Sequence, residues 1–121
     1  MYAAGVAATA ASLDPDLAAA SARFFRVLGD PTRLAILELL LDRSRTVSEL
    51  VDALEIRQSR ISNHLACLRW CRFVEAERAG RQVTYRIADR RVRRVLEHGR
   101  QLAEQHCEHL ATCRRIGPEW V

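Results

Sequence analysis

Apolar residues recur at three- and four-residue steps through four successive stretches of the chain, change once to a two-residue step, and then return to the helical period. Asp14 followed by Pro15 has the form of an N-cap with proline at the first helical position, and Leu17, Phe24, Phe25 and Leu28 supply one apolar face. This predicts a first helix ended by Gly29. Asp30 and Pro31 repeat the cap, and Leu34, Leu37, Leu40 and Leu41 make the second helix apolar enough to be the centre of the core. Thr46 to Glu49 has the T-x-x-E spacing of a capping box ahead of Leu50 and Leu54, which predicts a short third helix ending near Glu55.

The fourth stretch, Arg57 to Arg72, reads RQSRISNHLACLRWCR. On a helix, Ile61, Leu65 and Leu68 fall on one stripe, the spacing of a face packed on a core. The opposite stripe carries Ser59, Ser62, Asn63 and Arg69, groups of the kind that read base edges in a major groove. Arg60, His64, Cys67 and Cys71 follow one another along one flank between the two. With the third helix and the link around Ile56, this is a helix-turn-helix pattern whose second helix is the reading element.

From Phe73 to Ile87 the period is two: Val74 and Ala76, then Val83, Tyr85 and Ile87, alternate with polar residues. Ala79 and Gly80 stand at the hairpin turn with Arg78 and Arg81 on either side, a two-stranded wing with a basic tip. Asp89 caps a last helix in which Val92, Val95, Leu96, Gly99, Leu102, Ala103 and Leu110 form one long stripe. That stripe exceeds what a small domain needs for its own core, and it is assigned to a homodimer seam, with Gly99 permitting close approach. Arg90, Arg91, Arg93 and Arg94 oppose the dipole of that helix and call for a phosphate or an acidic neighbour. The predicted fold is mainly α with a two-stranded β wing, a homodimeric winged helix-turn-helix. Residues 1–13 are expected to be a flexible arm, 14–113 the DNA-binding and dimerisation domain, and 114–121 a tail.

A chain of 121 residues holds one core of this kind, and 28% charged beside 49% hydrophobic residues excludes wholesale disorder. No apolar run approaches the roughly 18 residues of a membrane span. The Ala-rich start lacks the basic and Leu-rich regions of a secretory signal, so a cytoplasmic protein with no membrane partner is expected. Charge is unevenly spread: residues 1–56 hold five Arg against eight acids, 57–94 hold eleven against three, and 95–121 hold three against four. A basic middle third points to one surface that faces the phosphates of duplex DNA. Gln58, Ser59, Ser62 and Asn63, with Arg60, His64 and Arg69 beside them, are the candidates for the groove, and Arg78 and Arg81 for the backbone.

Four cysteines in a reducing compartment point to metal or redox chemistry and away from structural disulfides. Cys67 and Cys71, one helical turn apart, place both sulfurs on one face within reach of a single ion. Thiolates select soft ions such as Cd(II), Pb(II) or Hg(II). Two plainer readings stand beside this one: a pair of small packing residues, or a dithiol that oxidants act on. Cys107 and Cys113, six apart, fall on different faces of a continuous helix, so at most one of them joins the pair. His64 also reads as a hydrogen-bonding residue that stabilises its own helix, and Trp70 and Trp120 as packing residues. A thiol enzyme is the alternative from another class. The chain has no glycine-rich phosphate loop and no nucleophile elbow, and neither catalysis nor an organic cofactor is expected.

The phrases LGDPTRLAILELL, TVSELVDAL, RQSRISNHLACLRW and GRQVTYRIAD, in that order over roughly residues 17–100, resemble the ArsR/SmtB family of bacterial metal-responsive repressors. The resemblance implies a winged-helix homodimer that holds an inverted-repeat operator in duplex DNA until an inducer releases it. Cys67 and Cys71 look like the Cys-x-x-x-Cys of the actinobacterial cadmium and lead sensor type, whose third thiolate comes from the C-terminal region. That implies Cys113 as third ligand, with Cys107 as the alternative. The third helix has no Cys, so the thiolate site that arsenic and cadmium sensors often build there is absent, and Asp89 is followed by Arg91 where the zinc sensors have Asp-x-His. Arg57 stands where the family usually has a serine cap and Arg72 where it usually has glycine, which predicts helix ends that are less well fixed.

Overall fold

Four of the five predicted helix starts close through the side chain the sequence supplies. In the computed structural model, which describes residues 14–112, Asp14 accepts from the Asp16 amide at 3.0 Å ahead of α1 (Pro15–Leu28). Asp30 accepts from the Arg33 amide at 2.9 Å ahead of α2 (Pro31–Asp42). The Glu49 amide donates to the Thr46 hydroxyl at 3.1 Å and the Thr46 amide to the Glu49 carboxylate at 2.9 Å, completing the capping box of α3 (Val47–Leu54). The reading helix is α4 (Gln58–Trp70), and the last helix, α5 (Arg90–Gln105), starts at Asp89, which accepts from the Arg91 amide at 2.8 Å. The arm and tail, with Cys113 and Trp120, lie outside the described residues.

The sheet has one strand more than the predicted two. β1 (Arg45–Thr46) pairs antiparallel with β3 (Gln82–Ile87), Arg45 opposite Tyr85 and Thr46 opposite Thr84, and β3 pairs antiparallel with β2 (Val74–Ala79), giving the order β1-β3-β2. A two-residue strand is too short to show a period, which is why its pattern is silent. The hairpin turn is also one position later than expected: Ala79 pairs with Gln82, so Gly80 and Arg81 form the turn. Gly80 takes a φ of 65°, the left-handed conformation that glycine adopts without steric cost.

Of the predicted α2 stripe Leu37 and Leu40 are buried and Leu34 and Leu41 only partly so, while Ile36, which the stripe omitted, is fully buried. Ile36, Leu37 and Leu40 of α2 sit at the centre of the core, surrounded by Leu28, Leu50, Ile61, Leu65, Leu68, Phe73, Val74, Val92 and Leu96. Ile61, Leu65 and Leu68 anchor α4 by the face opposite its polar stripe, so burial of those three side chains orients the reading surface outward.

Three expectations need correction. Leu17 and Phe25, assigned to the apolar face of α1, are 58% and 62% exposed, because α1 reaches the core through Leu28 and, in part, Phe24 and Val27. Trp70, expected to pack, is 87% exposed. The last helix is not continuous: it ends at His106, and Leu110 belongs to a separate short helix, α6 (Cys107–Thr112).

The ends of α4 differ from each other. Arg57 makes no side-chain cap, as its sequence predicts. The C-terminal end is fixed more firmly than expected: the Phe73 amide donates to the Leu68 carbonyl at 2.9 Å and the Arg72 amide to the Arg69 carbonyl at 3.1 Å. These two bonds make a complete Schellman motif, with Arg72 at φ 64° in the position glycine usually takes. Phe73 then enters the core and packs on Phe24 with ring centroids 4.9 Å apart.

Candidate DNA-reading surface and thiol flank

The α4 stripe opposite the core presents Gln58, Ser59, Ser62, Asn63 and Arg69 to solvent, with Arg60 exposed at its edge. The core face is sealed by residues of 1% exposure or less, and short polar side chains one and two turns apart along an exposed helix can approach base edges. His64, half-buried, sits on the inner side of this face. At the cap of α2, burial pushes the Asp30 carboxyl up, but the Arg33 amide, the Arg33 guanidinium, His64 and the Thr32 amide together bring it below the ordinary carboxylate range.

Arg78 and Arg81 stand exposed at the tip of the wing and make no ion pair among the described residues. Arg86 is different. It bridges Glu75 at 3.0 Å and Glu77 at 3.2 Å across the strands, so the outer face of the wing is neutralised and positive charge is concentrated at its tip. At the start of α5, Arg91 pairs with Asp89 at 2.7 Å and holds that carboxyl down to about 2, while Arg93 donates to the Leu41 carbonyl. The acidic neighbour expected for this arginine run is thus its own cap, and the backbone end of α2 takes a second member.

Cys67 and Cys71 lie on the flank of α4, Cys67 half-buried and Cys71 exposed at the C-cap, with the Cys71 amide donating to the Cys67 carbonyl at 3.0 Å. Both are free thiols. Burial pushes the Cys71 thiol above its ordinary value, the neighbouring Cys67 raises it further, and only Arg33 opposes this. Arg33 is a participant that no sequence motif marks as one. Its Nε donates to the Val27 carbonyl at 2.7 Å, which ties the first turn of α2 to the end of α1, and its charge acts on the Cys71 thiol. The spacing of the Asp-Pro-Thr-Arg start was the available signal, since the cap fixes where its arginine points.

Cys107 is exposed at the first position of α6 and lines an apolar cleft of about 810 Å³ formed with Phe25, Leu34, Val95, Gly99 and Leu102. Among the described residues no group of three Cys, His, Asp or Glu side chains is gathered closely enough to hold a metal ion. Two thiols are together; a third donor is not brought to them by these residues.

The comparisons with known proteins agree with this geometry. The family model described as "Bacterial regulatory protein, arsR family" matches residues 30–76, from the cap of α2 into the first wing strand. A probable mercury resistance operon repressor of Streptomyces lividans is 42% identical over 99 residues, 82% of this chain and 79% of that protein. The regulator CmtR of Mycobacterium tuberculosis is 47% identical over 77 residues, 64% of this chain and 65% of that protein. Among solved structures, the homodimeric winged helix-turn-helix DNA-binding domain Mb0332 from Mycobacterium bovis superposes with a TM-score of 0.72 at 33% identity, covering 78% of this chain and 87% of that one. With a reading helix exposed on one face, a basic wing tip, and relatives that match it over most of their own length, the chain is a winged helix-turn-helix transcriptional regulator and belongs to the ArsR family of bacterial regulatory proteins.

Proposed function

We propose that the protein is a homodimeric cytoplasmic repressor that holds an inverted-repeat operator and releases it when a soft metal ion is bound by Cys67 and Cys71. The observation that carries this is the position of the two free thiols one turn apart on the flank of α4, the helix whose other exposed stripe holds Ser59, Ser62 and Asn63. A ligand that ties this flank to another segment acts directly on the reading element. The donor chemistry fits a soft ion: two sulfurs, with no group of three Cys, His, Asp or Glu gathered among the described residues. The relatives support the same class, one being a probable mercury resistance operon repressor and another a cadmium metal-sensor. Residues 14–113 are the functional unit, Cys113 is the third ligand by resemblance, and Cys107 is the alternative.

Dimerisation is supported by the cleft between α1 and α5, whose apolar lining continues through Phe25, Leu102 and Gly99. Two protomers related by a two-fold axis present two reading helices to successive major grooves.

The test is titration of the reduced dimer with Cd(II), Pb(II), Hg(II), Zn(II) and arsenite, following thiolate-to-metal absorbance and, in parallel, binding to operator DNA. Soft ions should give the band and release the operator. Cys67→Ser and Cys71→Ser should keep operator binding and lose release, by the roughly 5- to 150-fold that a coupling of about 1 to 3 kcal/mol represents. Full release in either variant sinks the thiol site. A reversible Cys67–Cys71 disulfide in place of any metal band would make the signal an oxidant.

A further inference from the structure

From Ser62 a stripe of α4 runs away from the helix start through Ala66 to Arg69 and Trp70, and beside its last turn, with Arg72 and the wing residue Tyr85, it closes a hollow of about 710 Å³. No acidic side chain lines this hollow, and two guanidinium groups do. Two further features set it apart. Trp70 is 87% exposed, a large aromatic face that no side chain among the described residues covers. Arg72 holds a left-handed φ of 64° in a slot where glycine is the unstrained residue, so the chain keeps a charged side chain there against the backbone's preference.

We propose that this hollow is a second DNA contact of the protein, a seat for a backbone phosphate and its sugar, with Arg69 and Arg72 on the phosphate and the Trp70 ring against the sugar. The inference rests on the reading of α4 as the element that enters the operator. A reading helix meets base edges with its N-terminal residues, so its last turn leaves the groove at the wall. That wall is the sugar-phosphate backbone, which takes charge and apolar contact alike without regard to sequence. The hollow is continuous with the reading face through Ser62 and is bounded on the far side by β3 of the wing, so a strand held by the wing tip at Arg78 and Arg81 passes over it. Trp70 continues the exposed stripe about two turns beyond Asn63, while Arg72 and Tyr85 lie outside the helix and are brought to it by the Schellman turn and the sheet.

The experiment uses the full chain and two readouts. Arg72→Gly removes the charge at a position whose backbone already suits glycine, so it isolates the contact from the fold. Measured by anisotropy from low to high salt, it should lower the slope of log affinity against log salt by about 0.9, the value of one phosphate. It should weaken operator and random duplex by the same factor and leave their ratio unchanged. In a Trp120→Phe background, where Trp70 is the one remaining indole, operator DNA should shift or quench the emission. If wild type binds its operator specifically while Arg72→Gly keeps the wild-type slope and Trp70 emission is unmoved, this inference fails and the repressor reading stands. If wild type shows no preference for any duplex, the repressor reading falls and takes this one with it.

Discussion

At the scale of single residues, the caps decide where helices begin, and each was legible because a cap is a local event: an oxygen two or three positions from the amide it serves. Asp14, Asp30, Thr46 and Asp89 all bond as their spacing predicts. Trp70 was not legible in the same way. Its place seven residues after Asn63 puts it on the exposed stripe, but a tryptophan's size argues for burial, and only the three-dimensional fold shows that no described residue lies across from it. Asp89 carries a pH prediction. Its hydrogen bonds from the Arg91 side chain and amide hold the carboxyl at about 2 against an ordinary 3.8. A depressed carboxylate stabilises the fold above its ordinary value and loses that effect as pH falls through the folded one. Asn at this position still caps but cannot titrate. The stability gap between wild type and Asp89→Asn should therefore be present at neutral pH and close between about pH 4 and pH 2, as read from thermal midpoints; a gap that stays constant over that window would show that the charge is idle.

At the scale of elements, the four long helices and the wing followed from periodicity, since ten or more residues carry several repeats of a stripe. What escaped were features too short to repeat. β1 is two residues long, and the break at His106 divides a stripe that would otherwise run on to Leu110. Thr46 shows how much one short element holds. It pairs with Thr84 in the sheet and caps α3 through the Glu49 amide, so the edge of the wing and the first helix of the helix-turn-helix are joined at one residue. Thr46→Ala keeps the backbone pairing and removes the cap, and should cost about 1 kcal/mol in denaturant unfolding with an unchanged slope. Because α3 supports α4, operator affinity should fall with it even though Thr46 is far from the reading face. No change in stability would mean that the capping box contributes nothing here.

At the scale of the whole molecule, the protomer's surface is unfinished on one side. Val92 and Leu96 of α5 are buried in the core, whereas Leu102 is 59% exposed and shares an apolar cleft with Phe25, 62% exposed, from α1. The sequence showed an overlong stripe, and the second copy of the chain proposed above would cover it. Gly99 tests the assignment, because a Cβ built there meets nothing within 4 Å among the described residues. A larger side chain at that position therefore fits the isolated fold, and an exposed helical glycine replaced by leucine also gains helix propensity, about 1 kcal/mol. In a two-fold seam the same side chain appears twice near the axis and holds the helices apart. Gly99→Leu should then keep its helical circular dichroism yet sediment near the 13.7 kDa of one chain where wild type gives twice that. It should also lose specific operator binding, since one reading helix contacts only a half-site, while weak salt-sensitive binding to any duplex persists. A Gly99→Leu protein that remains a dimer would place the seam elsewhere and leave the cleft between α1 and α5 without its proposed occupant.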